Sequence, residues 1–436
     1  MASNPGLRPS LGLCQATALA VGIMIGATVF VQASEVSRAL SNPWAMLAAW
    51  AAAGALTLAG ALTCAELARQ FPQTGGVYIF LRETLSPGVA FLWGWAMFWL
   101  MHSGIIAAIA IIAARYCGFT AALGEPAIRS LAIAFILLFS GLNYRGLRPA
   151  AAAQVGLTAV KVVAIAAVIA LVAEAAPGRV AVAASGFGSA AAPWPGLGSF
   201  VLAASAGLFA FGGWHMVTYT AGETKRAARV VPLALWLATA IVTLCYLGLN
   251  AAYLRALPIA RIQASNRVAA EAAAVFGGPG AAAAIAALVV ISALGSLNGV
   301  ILAGPRVYLA MAADHLAPQA LAAVHPRFLT PARAIGAQAA WSCLLVAVGS
   351  YHSLFTGVVY LEWTFFALMA FGLLRRLRRG HGPALVLLVG AAAVAASLAR
   401  AGPAGALADL ALVATGVPAY YGLSRRSRAQ RHATHH

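Results

Sequence analysis

Charge is what this sequence of 436 residues has least of. Only 9% of its residues are charged, and only ten are acidic, whereas a soluble protein has roughly 25% charged residues. The hydrophobic share is 62% and the mean hydropathy is +0.87. These values exclude an ordinary soluble domain and predict an all-helical, polytopic membrane protein.

Recognisable catalytic and metal-binding motifs are also missing. Neither H-E-x-x-H nor G-x-S-x-G occurs, and the only aspartates are Asp314 and Asp409, which does not favour an intramembrane aspartyl dyad. The five cysteines stand singly, with no C-x-x-C pair, so neither a metal site nor a disulfide framework is predicted. We therefore expect no enzyme activity, no catalytic residue and no cofactor.

Basic residues outnumber acidic ones, giving a formal net charge of +18, but their distribution does not favour nucleic-acid binding. Nineteen of the 28 fall in alternate inter-helix segments, eight in the others, and Lys161 lies within an apolar span. Such a bias sets membrane orientation. It predicts an even number of spans, a multi-pass protein of the cell (inner, cytoplasmic) membrane, and cytoplasmic N- and C-termini. The apolar run after Arg8 ends without a cleavage site, so no removable signal peptide is expected.

Runs of apolar residues predict twelve transmembrane helices within a single transporter domain, 1–436. Their expected bounds are 11–31, 43–67, 88–117, 127–144, 154–174, 197–221, 231–253, 280–312, 334–350, 353–374, 383–399 and 406–423. Pro43, Pro87, Pro232 and Pro383 are expected at helix starts, where proline is tolerated.

The first of these runs contains residues 22–30, Gly-Ile-Met-Ile-Gly-Ala-Thr-Val-Phe. Each glycine weakens a helix by roughly 1 kcal/mol relative to alanine. A helix that opens at mid-membrane frees backbone polar groups, which is tolerated only where they are buried in protein or line a watery cavity. We interpret this stretch as a broken transporter helix. The alternative is a packing face, because small residues four apart also let helices approach closely.

A second glycine-interrupted stretch is 207–215, Gly-Leu-Phe-Ala-Phe-Gly-Gly-Trp-His, in the sixth predicted helix. Two interrupted helices in corresponding positions of two five-helix halves indicate an inverted repeat with a binding site near the membrane midplane. This pairing favours the transporter interpretation over a packing role. The expected halves are 11–174 and 197–374, followed by two further helices within 383–423.

Five stretches carry a resemblance to a known family. They are 22–30; 65–72 (Ala-Glu-Leu-Ala-Arg-Gln-Phe-Pro) with 75–78 (Gly-Gly-Val-Tyr); 91–95 (Phe-Leu-Trp-Gly-Trp); 207–215; and 298–307 (Asn-Gly-Val-Ile-Leu-Ala-Gly-Pro-Arg-Val). In this order they resemble the amino acid–polyamine–organocation (APC) superfamily, close to bacterial relatives of the L-type amino-acid transporter light subunits. The resemblance covers about 11 to 379. It implies the LeuT-type fold, with five-plus-five inverted helices, two peripheral helices, and discontinuous first and sixth helices.

The resemblance also implies where substrate binds. The amides of Gly26, Ala27 and Thr28 would bind a carboxylate, and carbonyls near Ile23 and Met24, with others at 209–211, would bind an amine. Thr28 departs from the family's usual glycine and either narrows the site or offers its hydroxyl. The candidate substrate-binding residues are Ile23, Met24, Gly26, Ala27, Thr28, Phe209, Ala210, Phe211, Gly212, His215 and Glu362.

Four of the candidate side chains have competing interpretations. Phe209 matches the family's gating aromatic or is a packed core residue, and His215 faces substrate or is a buried, hydrogen-bonded histidine. Lys161 matches a fifth-helix lysine that stands in for a coupling cation and can exchange a proton, or else it reaches the membrane interface. Glu362 faces the substrate cavity, with His215 as a candidate partner, or is a protonated packing residue.

The function expected from these features is secondary active transport of amino acids by alternating access, sodium-independent, either proton-coupled symport or exchange. The alternative is a carrier of another small amine or polar metabolite, of polyamine or organocation type. A channel or an intramembrane enzyme is less compatible with two opened helices. The expected partners are a small-molecule substrate, protons and the lipid bilayer, with no nucleic acid and no obligatory protein partner.

Overall fold

The computed structural model describes residues 7–121, 123–173, 193–265, 267–348, 351–377 and 381–433. Within these ranges the chain forms helices, turns and one isolated bridge between Leu11 and Thr224, and no β-strand. Residues 174 and 350, at which two predicted helices end, and 378–379 of the basic run lie outside the described residues.

Eight α-helices come from the first part of the chain, and a π-helical turn, Met97–Met101, separates the fifth from the sixth. They are α1 Leu13–Met24, α2 Val29–Ala39, α3 Pro43–Gln70, α4 Val77–Thr84, α5 Pro87–Ala96, α6 His102–Ala121, α7 Glu125–Tyr144 and α8 Leu147–Ala173.

Nine further α-helices follow, with 3₁₀ segments at Trp214–Glu223 and Gln319–Ala322. They are α9 Leu197–Ala210, α10 Ala227–Ala256, α11 Ile259–Ala264, α12 Val268–Ala303, α13 Pro305–Ala313, α14 Ala332–Val348, α15 Tyr351–Arg376, α16 Gly382–Ala401 and α17 Pro403–Ala433.

Three of the four prolines expected at helix starts lie there, including Pro383 as the second residue of α16. Pro43 and Pro87 are the first residues of α3 and α5, and the side chains of Asn42 and Ser86 accept hydrogen bonds from the amides that follow. The position predicted for Pro232 is wrong, because α10 begins at Ala227 and includes this proline.

Ten helical segments within the described ranges are long and apolar enough to cross a membrane, or up to eleven if the bent pair α1–α2 is one span. The predicted helix 334–350 corresponds to α14, which has 17 residues and stands at the lower limit of spanning length. Where the segments are exposed, they present large apolar side chains such as Leu244 and Val163, as expected of surfaces that contact lipid.

Helix α1 lies at the centre of the bundle. It packs against α8, α10, α12 and the 3₁₀ segment Trp214–Glu223. Residues 19–24 of α1 are buried, whereas the last two helices lie at the periphery, where α16 contacts α3 and α15 and α17 contacts α5. The packing therefore places the end of α1, at Met24, inside the protein.

Candidate functional site

The chain opens between α1 and α2. Helix α1 ends at Met24, Ile25 leaves the helical conformation with ψ 82°, and α2 begins at Val29 at an angle of 50° to α1. Gly26 donates its amide to the Met24 carbonyl over 2.9 Å, which tightens the turn. Because the first amides of a helix have no acceptor within it, the start of α2 presents N–H groups to this opening.

Side chains from two other helices satisfy the carbonyls of the opening. Lys161 of α8, fully buried, donates from Nζ to the carbonyls of Gly22 and Ile25, both at 2.7 Å. Ser296 Oγ of α12 lies 2.8 Å from the Gly22 carbonyl and 3.2 Å from Lys161 Nζ, and Ser292 donates to Ile25. Lys161 thus lies against the carbonyls expected from the sequence, while its coupling role stays a prediction.

A second opening follows α9. This helix ends at Ala210, Gly213 adopts the left-handed conformation at φ 89°, and the chain continues as the 3₁₀ segment from Trp214. The hydroxyl of Tyr246 lies 2.7 Å from the Met24 carbonyl and 2.9 Å from the Ala210 carbonyl. One buried tyrosine therefore joins the ends of α1 and α9.

Gly213 also packs directly against α1. A Cβ added there would lie 2.3 Å from Cγ2 of Ile23. We expect Gly213→Ala to reduce substrate transport by at least about tenfold, because the left-handed conformation and the clash with Ile23 both oppose the substitution. The matched control is Gly196→Ala, because Gly196 has ordinary φ and an added Cβ meets nothing within 4 Å. Equal initial uptake rates for both variants in proteoliposomes would contradict the expectation.

The two openings border one cavity of about 80 Å³, measured as the space open to the centres of water molecules. A single water needs roughly 10–15 Å³ by this measure, so the cavity is large enough for a small solute. Its walls come from α1, the residues between α1 and α2, α6, α9, the residues after α9, α12 and α15. The lining residues are Ile23, Met24, Gly26, Ala27, Thr28, Ile105, Ile109, Ile112, Leu208, Phe209, Ala210, Gly212, Gly213, Trp214, Met216, Ser296, Val300, Val358, Val359, Glu362, Trp363 and Phe366.

Most of the candidate substrate-binding residues line this cavity. The ones that do are Ile23, Met24, Gly26, Ala27, Thr28, Phe209, Ala210, Gly212 and Glu362. Thr28 is the residue before α2, and its hydroxyl lies 3.5 Å from where a Cβ on Gly26 would be, so it occupies space next to the glycine. That any of them binds substrate stays a prediction.

Phe211 and His215 do not line the cavity, contrary to the placement expected for them. Phe211 packs against Trp50 and Tyr246 instead. His215 is completely buried among rings, with Phe366 at 4.8 Å between centroids, and neither of its ring nitrogens has a hydrogen-bond partner within the described residues. The hydrogen bond suggested between His215 and Glu362 is therefore not formed in this conformation.

Sequence reasoning missed the apolar walls of the cavity. Ile105, Ile109 and Ile112 recur on α6 at i, i+4 and i+7, which places them on one helical face. This spacing is visible in the sequence, but α6 is apolar on all sides and its pattern does not reveal which face is turned inward. Ser296 was missed as well, although serines four apart at 292 and 296 on an apolar helix are a detectable signal.

Polar contacts join the residues before α1 to the end of the 3₁₀ segment Trp214–Glu223. The backbone amides of Ser10 and Leu11 donate to the Glu223 carbonyl, and the backbone amide of Lys225 donates to the Leu11 carbonyl. Nearby, the Asp314 carboxylate accepts from Tyr78 over 2.7 Å and from Arg82. Burial first and then the Asp314 charge raise the pKa of Tyr78, so this phenol stays a donor at physiological pH.

Comparisons with known proteins agree with this architecture. The family model described as amino acid permease matches residues 11–401. The serine/threonine exchanger SteT of Bacillus subtilis is 28% identical over 97% of this chain and 98% of its own length. The human b(0,+)-type amino acid transporter 1 is 29% identical over 84% of this chain and 76% of its own length.

An uncharacterized transporter of Mycobacterium tuberculosis is 30% identical over 95% of this chain and 91% of its own length. Among solved structures, Mhp1, a nucleobase-cation-symport-1 family transporter in a closed conformation with bromovinylhydantoin bound, superposes with a TM-score of 0.56. The superposition covers 97% of this chain and 96% of that one at 15% identity, which is evidence of a shared fold alone.

Proposed function

This chain belongs to the amino acid permease family of the APC superfamily, and from that premise we propose that it carries amino acids across the cytoplasmic membrane by alternating access. Its relatives and its LeuT-like fold are those of membrane transporters rather than enzymes. The observation that supports the proposal best is the cavity between the two opened helices, since backbone groups at helix ends are suited to the two charges of an amino acid.

In the proposed complex the substrate carboxylate binds at the start of α2, near Gly26, Ala27 and Thr28, where the helix presents its positive end. The substrate ammonium binds near the carbonyls of Met24 and Ala210. The Ala210 carbonyl lies within hydrogen-bond distance of Tyr246 and has a second lone pair for a further donor. The Met24 carbonyl is within reach of both Tyr246 and the Gly26 amide, so an ammonium there would replace one of these two donors. Phe209, a lining residue, is proposed to cover the bound substrate.

We also propose a topology of twelve transmembrane helices. If α1–α2 and α14 each cross the membrane, the ten clear spans become twelve. The helices would then form two inverted halves, 11–174 and 197–374, with two peripheral helices in 383–423 and both termini in the cytoplasm. The basic-residue bias described above supports this orientation.

Lys161 is proposed as the coupling residue. Its ammonium already occupies the carbonyls of Gly22 and Ile25, so a sodium ion has no free ligands at that position and sodium-independent transport follows. Proton-coupled symport requires Lys161 to release and rebind a proton during the transport cycle. Exchange of one substrate for another does not require this. The similarity to the serine/threonine exchanger SteT supports exchange rather than symport.

Thr28 is the specific observation that favours the alternative function, a carrier of another small amine or polar metabolite. Its side chain enters the region assigned to the substrate carboxylate. A carrier for amines without a carboxylate would not need that region open, and a β-branched residue would be tolerated there.

Counterflow with purified protein in proteoliposomes tests the proposal. We expect vesicles preloaded with a mixture of unlabelled L-amino acids to accumulate labelled members of that mixture, and the corresponding decarboxylated amines to be poor substrates, because they lack the group that binds at α2. Accumulation of the amines instead would support the alternative. No counterflow with either set, while protein-free vesicles stay sealed, would contradict both.

A further inference from the structure

One wall of the cavity carries an acid in an otherwise apolar surface. Helix α15 contributes a single face, with positions i, i+1, i+4, i+5 and i+8. These residues are Val358, Val359, Glu362, Trp363 and Phe366. Since α6 adds only Ile105, Ile109 and Ile112, the part of the cavity formed by these two helices has Glu362 as its one ionisable side chain among the described residues.

One oxygen of the Glu362 carboxylate meets no donor from the part of the chain that the structure describes. The residue is 6% exposed, and its Oε1 atom forms no hydrogen bond within the described ranges. A carboxylate in such a position is costly unless it is paired, protonated or presented to a ligand. Whether Glu362 is paired within the protein or presented to a ligand depends on which groups surround it.

The neighbouring polar groups are directed elsewhere. Lys161 donates to Gly22 and Ile25, and His215 lies behind the cavity wall without a hydrogen bond to Glu362. The phenol of Tyr219 is near enough to interact electrostatically with Glu362, but its hydroxyl contacts Met97 Sδ at 3.7 Å. No cationic side chain of the described residues therefore pairs with Glu362, and the space beside it is open to a solute.

From these contacts we propose that Glu362 determines specificity by binding a cationic group at the distal end of the substrate. The substrate class is compact diamino acids, in which a short apolar stem crosses the isoleucine-lined region and ends in a second amine. This inference rests on the proposed function, because it assumes that the amino-acid head binds at the openings of α1 and α9. The inference adds Glu362 as the binding partner of the distal end of the substrate.

A pair of probes of equal shape tests the distal contact. L-Ornithine and L-norleucine both have four heavy atoms in the side chain, and ornithine ends in an ammonium where norleucine ends in a methyl group. We expect the wild-type protein to take up ornithine with the lower half-saturation concentration. In Glu362→Gln the preference should fall by about ten- to a hundredfold, the range expected when a charged hydrogen bond is lost.

Two further variants make the result specific. Glu362→Asp keeps the charge and should keep the preference for ornithine. Asp409→Asn removes a carboxylate from the peripheral helix α17, outside the cavity lining, and should leave the preference unchanged. If Glu362→Gln does not fold, the wild-type preference and its retention in Glu362→Asp still decide the matter.

Failure of this inference differs from failure of the proposed function. Wild-type uptake of norleucine at equal or lower concentration than ornithine overturns the diamino-acid assignment, while amino-acid transport stands. An unchanged preference in a folded Glu362→Gln protein also overturns it. Absence of counterflow with every amino acid overturns both proposals together.

Discussion

Lys161→Ala is expected to reduce substrate uptake by about a hundredfold or more while leaving a folded protein. The ammonium of Lys161 joins α8 to the opening of α1 through two carbonyls at 2.7 Å and contacts Ser296 at 3.2 Å. Hydrogen bonds from a charged donor contribute roughly 1.5–3 kcal/mol each, and every 1.4 kcal/mol is a factor of ten. Loss of two such bonds therefore disturbs the geometry of the opening strongly.

The fold should survive because Ser292 and Ser296 remain within reach of the same carbonyls. The measurement is initial uptake in proteoliposomes, with size-exclusion chromatography as the check on folding. If Lys161 exchanges a proton, residual uptake in the variant should also depend less on external pH than wild-type uptake does.

Lys225 supplies the matched control. It is the only other lysine in the sequence, and its side chain is exposed. Lys225→Ala should transport within about twofold of the wild type, as is usual for an exposed substitution away from a site. Equal transport by both lysine variants would remove Lys161 from the mechanism.

Arg306→Met is expected to destabilise the protein by roughly 3–5 kcal/mol, because it leaves a buried carboxylate without its partner. Arg306 Nε and Nη2 bind the two carboxylate oxygens of Glu223 at 2.7 and 3.0 Å, and the two side chains are only 2% and 1% exposed. Arg306 also donates to the Leu302 carbonyl. The pair fixes the end of the 3₁₀ segment Trp214–Glu223 to the start of α13.

The readout is the midpoint of thermal unfolding in detergent, which should fall by several degrees. The double variant Glu223→Gln/Arg306→Met removes both charges and should recover most of the loss, since the isolated charge causes the penalty rather than the missing bond. Arg229→Met, at an exposed position of α10, is the control and should change the midpoint little. A double variant no more stable than Arg306→Met would contradict this explanation.

The sequence by itself determined the class of protein and the stretches within which α1 and α9 end. Scarce charge and long apolar runs are properties of composition, and lipid permits few other structures for such a chain. Glycines at 22, 26, 212 and 213 act locally, because a residue without Cβ weakens the helix to which it belongs. The chain leaves α1 after Met24 and α9 after Ala210, within the stretches that these glycines marked.

Lys161 was also detectable, because a single cation in an apolar span has few partners other than freed carbonyls. Its neighbour Ser296 was not identified, although it lies at 3.2 Å, because serine is common in membrane helices and carries no charge that requires a partner.

The tertiary structure alone decided which residues face the cavity. Phe211 and His215 adjoin the second opening in the chain, yet packing against Trp50 and Phe366 turns both away from the lining. The isoleucine face of α6 was not predicted for the converse reason. A helix that is apolar all round has no amphipathic pattern, so only its contacts with α12, α14 and neighbouring helices fix its rotation. Likewise the pairing of Glu223 with Arg306, 83 residues apart, depends on how α13 meets the 3₁₀ segment. Local chemistry set where the helices end, and long-range packing set what those ends surround.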